Sequence, residues 1–213
     1  MKIAFLDRDG VINKFPGNGN YVTKVKDLHV LPRAVKAIRI LTEAGYQIFV
    51  ISNQAGVGRK FYSKHKLDLI TKKVKEEVEK EGGKIAKFCY CIHRSDAGCH
   101  CRKPETGSLK KALKSVGKTI RSAKGKFFVG DTKSDVLTGF NAGCKTILVL
   151  SGRAKKKNVK DWGVKPDFIV KDLLAAADII LANEPVKKRI LKSNHTYFTK
   201  KELKKRFKSL KSS

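Results

Sequence analysis

Acidic residues are scarce in this chain: 19 Asp plus Glu stand against 48 Lys plus Arg in 213 residues, a formal net charge of +29. Such an imbalance favours polyanions of many kinds; it bears on association and solubility, not on fold. Long apolar runs are also missing. The longest nearly apolar stretch, Leu173 to Ala182, is broken by Asp178 and is too short to cross a bilayer, so no membrane partner is expected. No apolar leader with a small-residue cleavage site stands ahead of Ile3-Ala4-Phe5-Leu6, and a cytoplasmic location is expected. Internal repeats and low-complexity linkers are absent, and so is a basic patch interleaved with aromatic residues of the kind that stacks on bases. Tyr197-Phe198 is the nearest approach to one, and core packing explains it equally well.

What remains is ample for a globular fold. Hydrophobic residues make up 41% of the chain, which excludes wholesale disorder, and the length suits one domain with an appendage. Short apolar runs at Ile3–Asp7, Gln47–Ser52, Lys87–Cys91, Lys126–Gly130, Thr146–Leu150 and Asp167–Val170 read as strands. Between them lie helical spacings: Val35, Ile38 and Leu41; Leu67, Ile70, Val74 and Val78; Ser108 to Val116; and Ser134 to Ala142. The alternation predicts an α/β, Rossmann-like three-layer fold, with a central parallel sheet between helices, over residues 1–183. Residues 184–213 carry eleven Lys/Arg against two Glu and read as a basic C-terminal appendage.

Sheets of this kind bind ligands beyond the carboxyl ends of their strands, and the polar chemistry concentrates there. Asp7-Arg8-Asp9-Gly10 follows the first strand, Ser52-Asn53-Gln54 the second, a Cys/His cluster ending in Arg102-Lys103 the third, and Gly130-Asp131 the fourth. Asp7 and Asp9 share a face if the strand continues, and two carboxylates so placed repel unless a cation or shared proton lies between them. An Asp-x-Asp pair alone also fits an ordinary polar turn. Asp131, from another strand end, could complete a Mg²⁺ site of hard oxygen ligands. Ser52 offers a hydroxyl to phosphoryl oxygens and Lys103 a point charge for a transferring group. Asp135 either orients Lys103 or a metal-bound water, or acts as a helix N-terminal carboxylate.

Taken jointly, Phe5-Leu6-Asp7-Arg8-Asp9-Gly10-Val11-Ile12-Asn13, Ile51-Ser52-Asn53-Gln54-Ala55-Gly56-Val57, Cys101-Arg102-Lys103-Pro104 and Val129-Gly130-Asp131-Thr132-Lys133-Ser134-Asp135 resemble the haloacid dehalogenase superfamily of phosphatases. The resemblance implies that Asp7 attacks phosphorus and that Asp9 serves as acid and then base. It implies Mg²⁺ held by Asp7, Asp131 and the Asp9 carbonyl, with Ser52 and Lys103 steadying the phosphoryl group. Asn53, Gln54, Arg102 and Thr132 become candidate substrate contacts, Thr132 standing where a Lys is common. No large cap domain is expected, because a loop, a helix and a strand consume the 44 residues between Asp7 and Ser52.

Five cysteines are present, four within 13 residues. Cys91, His93, Cys99 and Cys101 supply four ligands for a structural, tetrahedral Zn²⁺, with Cys89 or His100 as alternative ligands and Cys144 as a core thiol. The loop ends on Arg102-Lys103 and would rigidify the segment that presents them. A comparable loop occurs in the subgroup that cleaves D-glycero-D-manno-heptose 1,7-bisphosphate and in histidinol-phosphate phosphatases. That resemblance implies an enzyme acting on a small phosphorylated sugar; a monomer is expected. Action on a polynucleotide 3′-phosphate, or nucleic-acid binding through the basic charge, is the expectation from a different class and is not favoured.

Overall fold

A computed structural model describes residues 1–183; the basic appendage expected at 184–213 lies outside the described residues. Six strands alternate with helices: β1 (Lys2–Leu6), β2 (Tyr46–Asn53), β3 (Lys87–Cys91), β4 (Phe127–Gly130), β5 (Lys145–Val149) and β6 (Phe168–Val170). The helices are α1 (Pro32–Glu43), α2 (Ala55–Gly58), α3 (Lys64–Lys80), α4 (Gly107–Lys114), α5 (Lys133–Asn141) and α6 (Leu173–Ala182). Every strand pairs in parallel, in the order β3-β2-β1-β4-β5-β6. The expected α/β sandwich is therefore present, and the strand limits agree with the apolar runs to within one residue.

The pleat divides the core in two. Ala4, Leu6, Ile48, Val50, Val129 and Ile147 face one side and pack with residues of α1, α3 and α6. Ile3, Phe5, Phe49, Ile51 and Phe128 face the other, beside Leu109, Ala112 and Leu113 of α4. Successive side chains alternate between faces in a strand, so a sheet covered on both sides needs apolar residues at consecutive positions. That is why the strands read as unbroken apolar runs.

Two α-helices escaped the sequence pattern. Leu173–Ala182 is a helix, capped by Asp172, whose side chain accepts from the Ala175 N–H at 3.0 Å; it packs chiefly on α1 and is apolar nearly all round, so it lacks a 3.6-residue stripe. The single turn of α2 is too short to carry any period. No cap domain is inserted among the described residues: a loop, one 3₁₀ turn (Val25–Asp27) and α1 fill the β1–β2 connection. No helix there is long and apolar enough to cross a membrane.

Strand order fixes the site. The chain leaves β1 toward β2 on one side and returns as β4 on the other, so the sheet's switch point is the seam between β1 and β4. Leu6 is in register with Val129, and the Asp7 N–H donates to the Val129 carbonyl at 2.9 Å. Asp7 and Asp131 consequently leave the sheet side by side.

Candidate active site

Asp7, Asp131 and Asp135 converge at that seam, with one oxygen of each within 4.8 Å of the others. All three are buried, and so is Lys103, which is 4% exposed. The Lys103 ammonium lies 2.9 Å from Asp7 Oδ2 and also bonds Asp135 Oδ1. Asp135 spends its other oxygen on the backbone N–H of Thr132 at 2.9 Å and on the Thr132 hydroxyl, closing a capping box at the start of α5. Both alternatives offered for Asp135, lysine orienter and helix-end carboxylate, are thus realised by one side chain.

The electrostatics suit a bound cation or a retained proton. Burial pushes Asp7 up to about 6; Lys103 and the Ser52 hydroxyl oppose this, and Asp135 adds to it. Burial, reinforced by Asp135 and Asp7, pushes Asp131 up to about 8. Burial works against the charge on Lys103, but Asp135 and Asp7 outweigh it and hold its pKa above the ordinary lysine range. One ammonium among three carboxylates leaves negative charge in a dry place. Carboxylate oxygens clustered this closely suit Mg²⁺, which takes one or two carboxylates and completes its shell with waters and phosphate oxygens.

The loop after β1 is built to leave Asp131 no slack. Gly10 has φ +81, and a Cβ there would meet Asp131 Oδ2 at 2.2 Å; a Cβ on Gly152 would meet the same oxygen at 2.0 Å. Asp131 Oδ2 accepts from the Arg153 N–H at 2.6 Å.

Asp9 is differently placed. Its carboxylate receives Arg8 Nε and Nη2, Asn13 Nδ2 at 2.9 Å and Gln54 Nε2 at 2.8 Å. Burial raises its pKa, but the Arg8 charge and these donors prevail and hold it below the usual carboxylate value. Arg8 is fully buried. Its guanidinium also reaches Gln54 Oε1 at 3.0 Å and lies over the Tyr90 ring at 5.7 Å, while Tyr62 donates to the same Gln54 oxygen at 2.7 Å.

The four candidate substrate contacts fare unequally. Gln54 is fully buried and turned to Asp9, Arg8, Ser52 and Tyr62. Asn53 clamps the Lys103 backbone from both ends, donating to its carbonyl at 3.1 Å and accepting from its N–H at 3.0 Å. These two amides face protein partners here. The Thr132 hydroxyl is engaged by Asp135 and Ser134. Arg102 is half-buried, with Nη1 buried and free of any hydrogen bond among the described residues. The Arg8–Gln54–Tyr62–Tyr90 network was missed in the sequence, although Arg8 between two aspartates was the available signal.

Cys91, His93, Cys99 and Cys101 draw together at the edge of the site. Cys99 Sγ is 3.6 Å from both Cys91 Sγ and Cys101 Sγ, and His93 Nδ1 is 3.2 Å from Cys101 Sγ. Tetrahedral ligands about 2.3 Å from Zn²⁺ lie roughly 3.8 Å apart, so the donor set fits the metal. Cys89 and Cys144 are buried outside this group, and His100 is not in it. The loop is tied down on both flanks. Gly107 N–H donates to the His100 carbonyl, Ser108 Oγ to the Cys101 carbonyl, and Gln54 N–H to the Cys91 carbonyl at 2.7 Å.

Comparison with known proteins agrees with this geometry. A family model described as HAD-hydrolase-like matches residues 100–176. The chain is 33% identical over 176 residues to the D-glycero-beta-D-manno-heptose-1,7-bisphosphate 7-phosphatase of Pseudomonas putida, covering 83% of this chain and 97% of that protein. It is 34% identical over 160 residues to the corresponding alpha-named enzyme of Photorhabdus laumondii, covering 71% and 84%. A crystal structure of D,D-heptose 1,7-bisphosphate phosphatase from B. bronchiseptica, complexed with magnesium and phosphate, superposes with a TM-score of 0.78 at 30% identity, covering 86% of this chain and all of that one. With the buried carboxylate cluster at the β1/β4 seam, these matches show that the chain belongs to the haloacid dehalogenase-like hydrolases and is a phosphatase.

Proposed function

We propose that this protein is a Mg²⁺-dependent phosphomonoesterase that removes the 7-phosphate of D-glycero-D-manno-heptose 1,7-bisphosphate. The observation that carries the reading is the meeting of Asp7, Asp131 and Asp135 around one buried ammonium. It is supported by the named relatives and by the magnesium and phosphate in the B. bronchiseptica structure. The finer parts of the proposal are a structural Zn²⁺ in the Cys91–Cys101 loop and a cytoplasmic location, where thiols stay reduced.

Asp7 is the nucleophile. Its Oδ1 is fixed by the Arg8 N–H at 2.7 Å and its Oδ2 by Lys103. The oxygen that attacks is therefore aimed before substrate arrives, and attack yields an aspartyl-phosphate that water later cleaves. Lys103 and the Ser52 hydroxyl flank Asp7 and stabilise charge on the transferring phosphoryl oxygens. Mg²⁺, held by Asp7, Asp131 and the Asp9 carbonyl, would neutralise charge on phosphate and aspartate together. Asp9, in its protonated form, would give its proton to the leaving alcohol in the first half-reaction and, left as a carboxylate, would take one from the hydrolytic water in the second; the Arg8 charge and the surrounding donors favour the carboxylate form. Asn53 positions Lys103, and Gln54 positions Asp9.

The test is phosphate release by purified protein with Mg²⁺ from both anomers of heptose 1,7-bisphosphate, from histidinol phosphate and from a 3′-phosphorylated oligonucleotide. Both anomers are needed because the P. putida and P. laumondii relatives are named for different ones. One heptose anomer is expected to give the highest kcat/KM. A preference for histidinol phosphate or the oligonucleotide overturns the substrate and keeps the chemistry.

A further inference from the structure

A bisphosphate carries a second phosphate, and each phosphate monoester brings about −1.5 to −2 charges at neutral pH. The floor of the site has nothing to offer the second one. Lys103 is spent on Asp7 and Asp135, and Arg8 on Asp9 and Gln54. Other arginines are engaged as well: Arg33 with Asp172, Arg94 with Asp96, and Arg59 with the Ser95 hydroxyl. Arg121, in the 3₁₀ turn that leads into β4, belongs to the opposite end of the sheet.

Two arginines at the carboxyl ends of the strands keep guanidinium groups with neither an ion pair nor a side-chain hydrogen bond among the described residues. One is Arg102, already a candidate substrate contact. The other is Arg153, which sequence reasoning passed over. Its root is fixed: the Arg153 N–H donates to Asp131 Oδ2 at 2.6 Å, the Ala154 N–H to the Asp131 carbonyl at 3.1 Å, and Ser151 Oγ to the Gly10 carbonyl at 2.7 Å. Ala154 is buried, whereas Arg153 and the following Lys155, Lys156 and Lys157 are exposed. The loop after β5 is thus bolted to Asp131 by its backbone, and its one guanidinium springs from the residue whose N–H touches that carboxylate.

Building on the proposed substrate, we propose that Arg153 binds the phosphate that is not hydrolysed and so makes the enzyme select bisphosphates over monophosphates, with Lys155–Lys157 adding positive field on the same loop. A planar fork grips a phosphate through two parallel hydrogen bonds, and a lysine supplies only the charge.

The experiment compares kcat/KM for heptose 1,7-bisphosphate with that for heptose 7-phosphate in the wild type, Arg153→Ala and Arg153→Lys. Because a backbone N–H makes the contact with Asp131, neither replacement removes it. The selectivity ratio is expected to fall about tenfold in Arg153→Ala, mainly through KM for the bisphosphate. Arg153→Lys should recover part of it, and added salt should erode wild-type selectivity more than that of Arg153→Ala. An unchanged ratio in Arg153→Ala, or equal losses on both substrates, overturns the proposal. If the wild type does not hydrolyse the heptose bisphosphate, the substrate reading fails separately. Fructose 1,6-bisphosphate against fructose 6-phosphate then gives the same comparison, and a ratio unmoved by Arg153→Ala overturns the role of Arg153.

Discussion

At Asp131, burial and two neighbouring carboxylates act in the same direction, and its pKa rises to about 8 while Asp7 rises to about 6. In the unfolded chain both ionise near 4. Between those values the metal-free folded protein binds more protons than the unfolded one, so raising the pH favours unfolding. Thermal melts in Mg²⁺-free buffer should show stability falling from pH 5 to pH 8, with Mg²⁺ restoring it most at pH 8. Melting points that rise over that interval without Mg²⁺ would contradict the assignment. Asp9 sits on the other side of its ordinary value because donors surround it. Asn13→Ala deletes one donor, at 2.9 Å, and should move the limb of the kcat/KM profile that reports Asp9 to higher pH. Asp7→Asn keeps the shape and removes the proposed nucleophile: turnover should drop by at least about 10³-fold, with the melting temperature retained.

Among the elements, strands were the easiest to read. Unbroken apolar runs such as Phe127–Gly130 declare a strand covered on both faces, and their polar termini declare where substrate arrives. The α6 helix was hidden because it is apolar all round, and the periodicity test needs a polar face. Asp7, Lys103 and Asp131 were legible as candidates from their types and strand-end positions, and the structure brings them together. The roles of Asn53 and Gln54 were not legible. Whether an amide faces substrate or a neighbouring backbone depends on contacts across 50 residues, as in the clamp of Asn53 on Lys103. That clamp links β2 to the segment that follows the Cys91–Cys101 cluster, so the order of that loop bears on the placement of Lys103. Cys99→Ser should lower zinc content measured by metal analysis, lower the melting temperature by several degrees and reduce kcat. Full activity without zinc would remove the loop from any part in positioning Lys103.

On the scale of the whole molecule, charge and chemistry separate. The +29 surplus is spread over a chain whose site is a narrow acidic seam, and surface charge of this size predicts salt-sensitive attachment to any polyanion. Heparin retention should fall steeply with salt, while hydrolysis of a small substrate changes far less when competitor DNA is added. Strong inhibition by DNA at physiological salt would show that polyanions reach the site itself. The seam also sets when the enzyme can begin to work. β1 is made first, yet it lies mid-sheet, and its partner strands are Tyr46–Asn53 and Phe127–Gly130. A chain growing on the ribosome therefore exposes Asp7 early but stays inert until more than half its length has emerged and β4 has docked. Premature termination anywhere before Asp131 yields a fragment without catalytic power, however well its first strands fold.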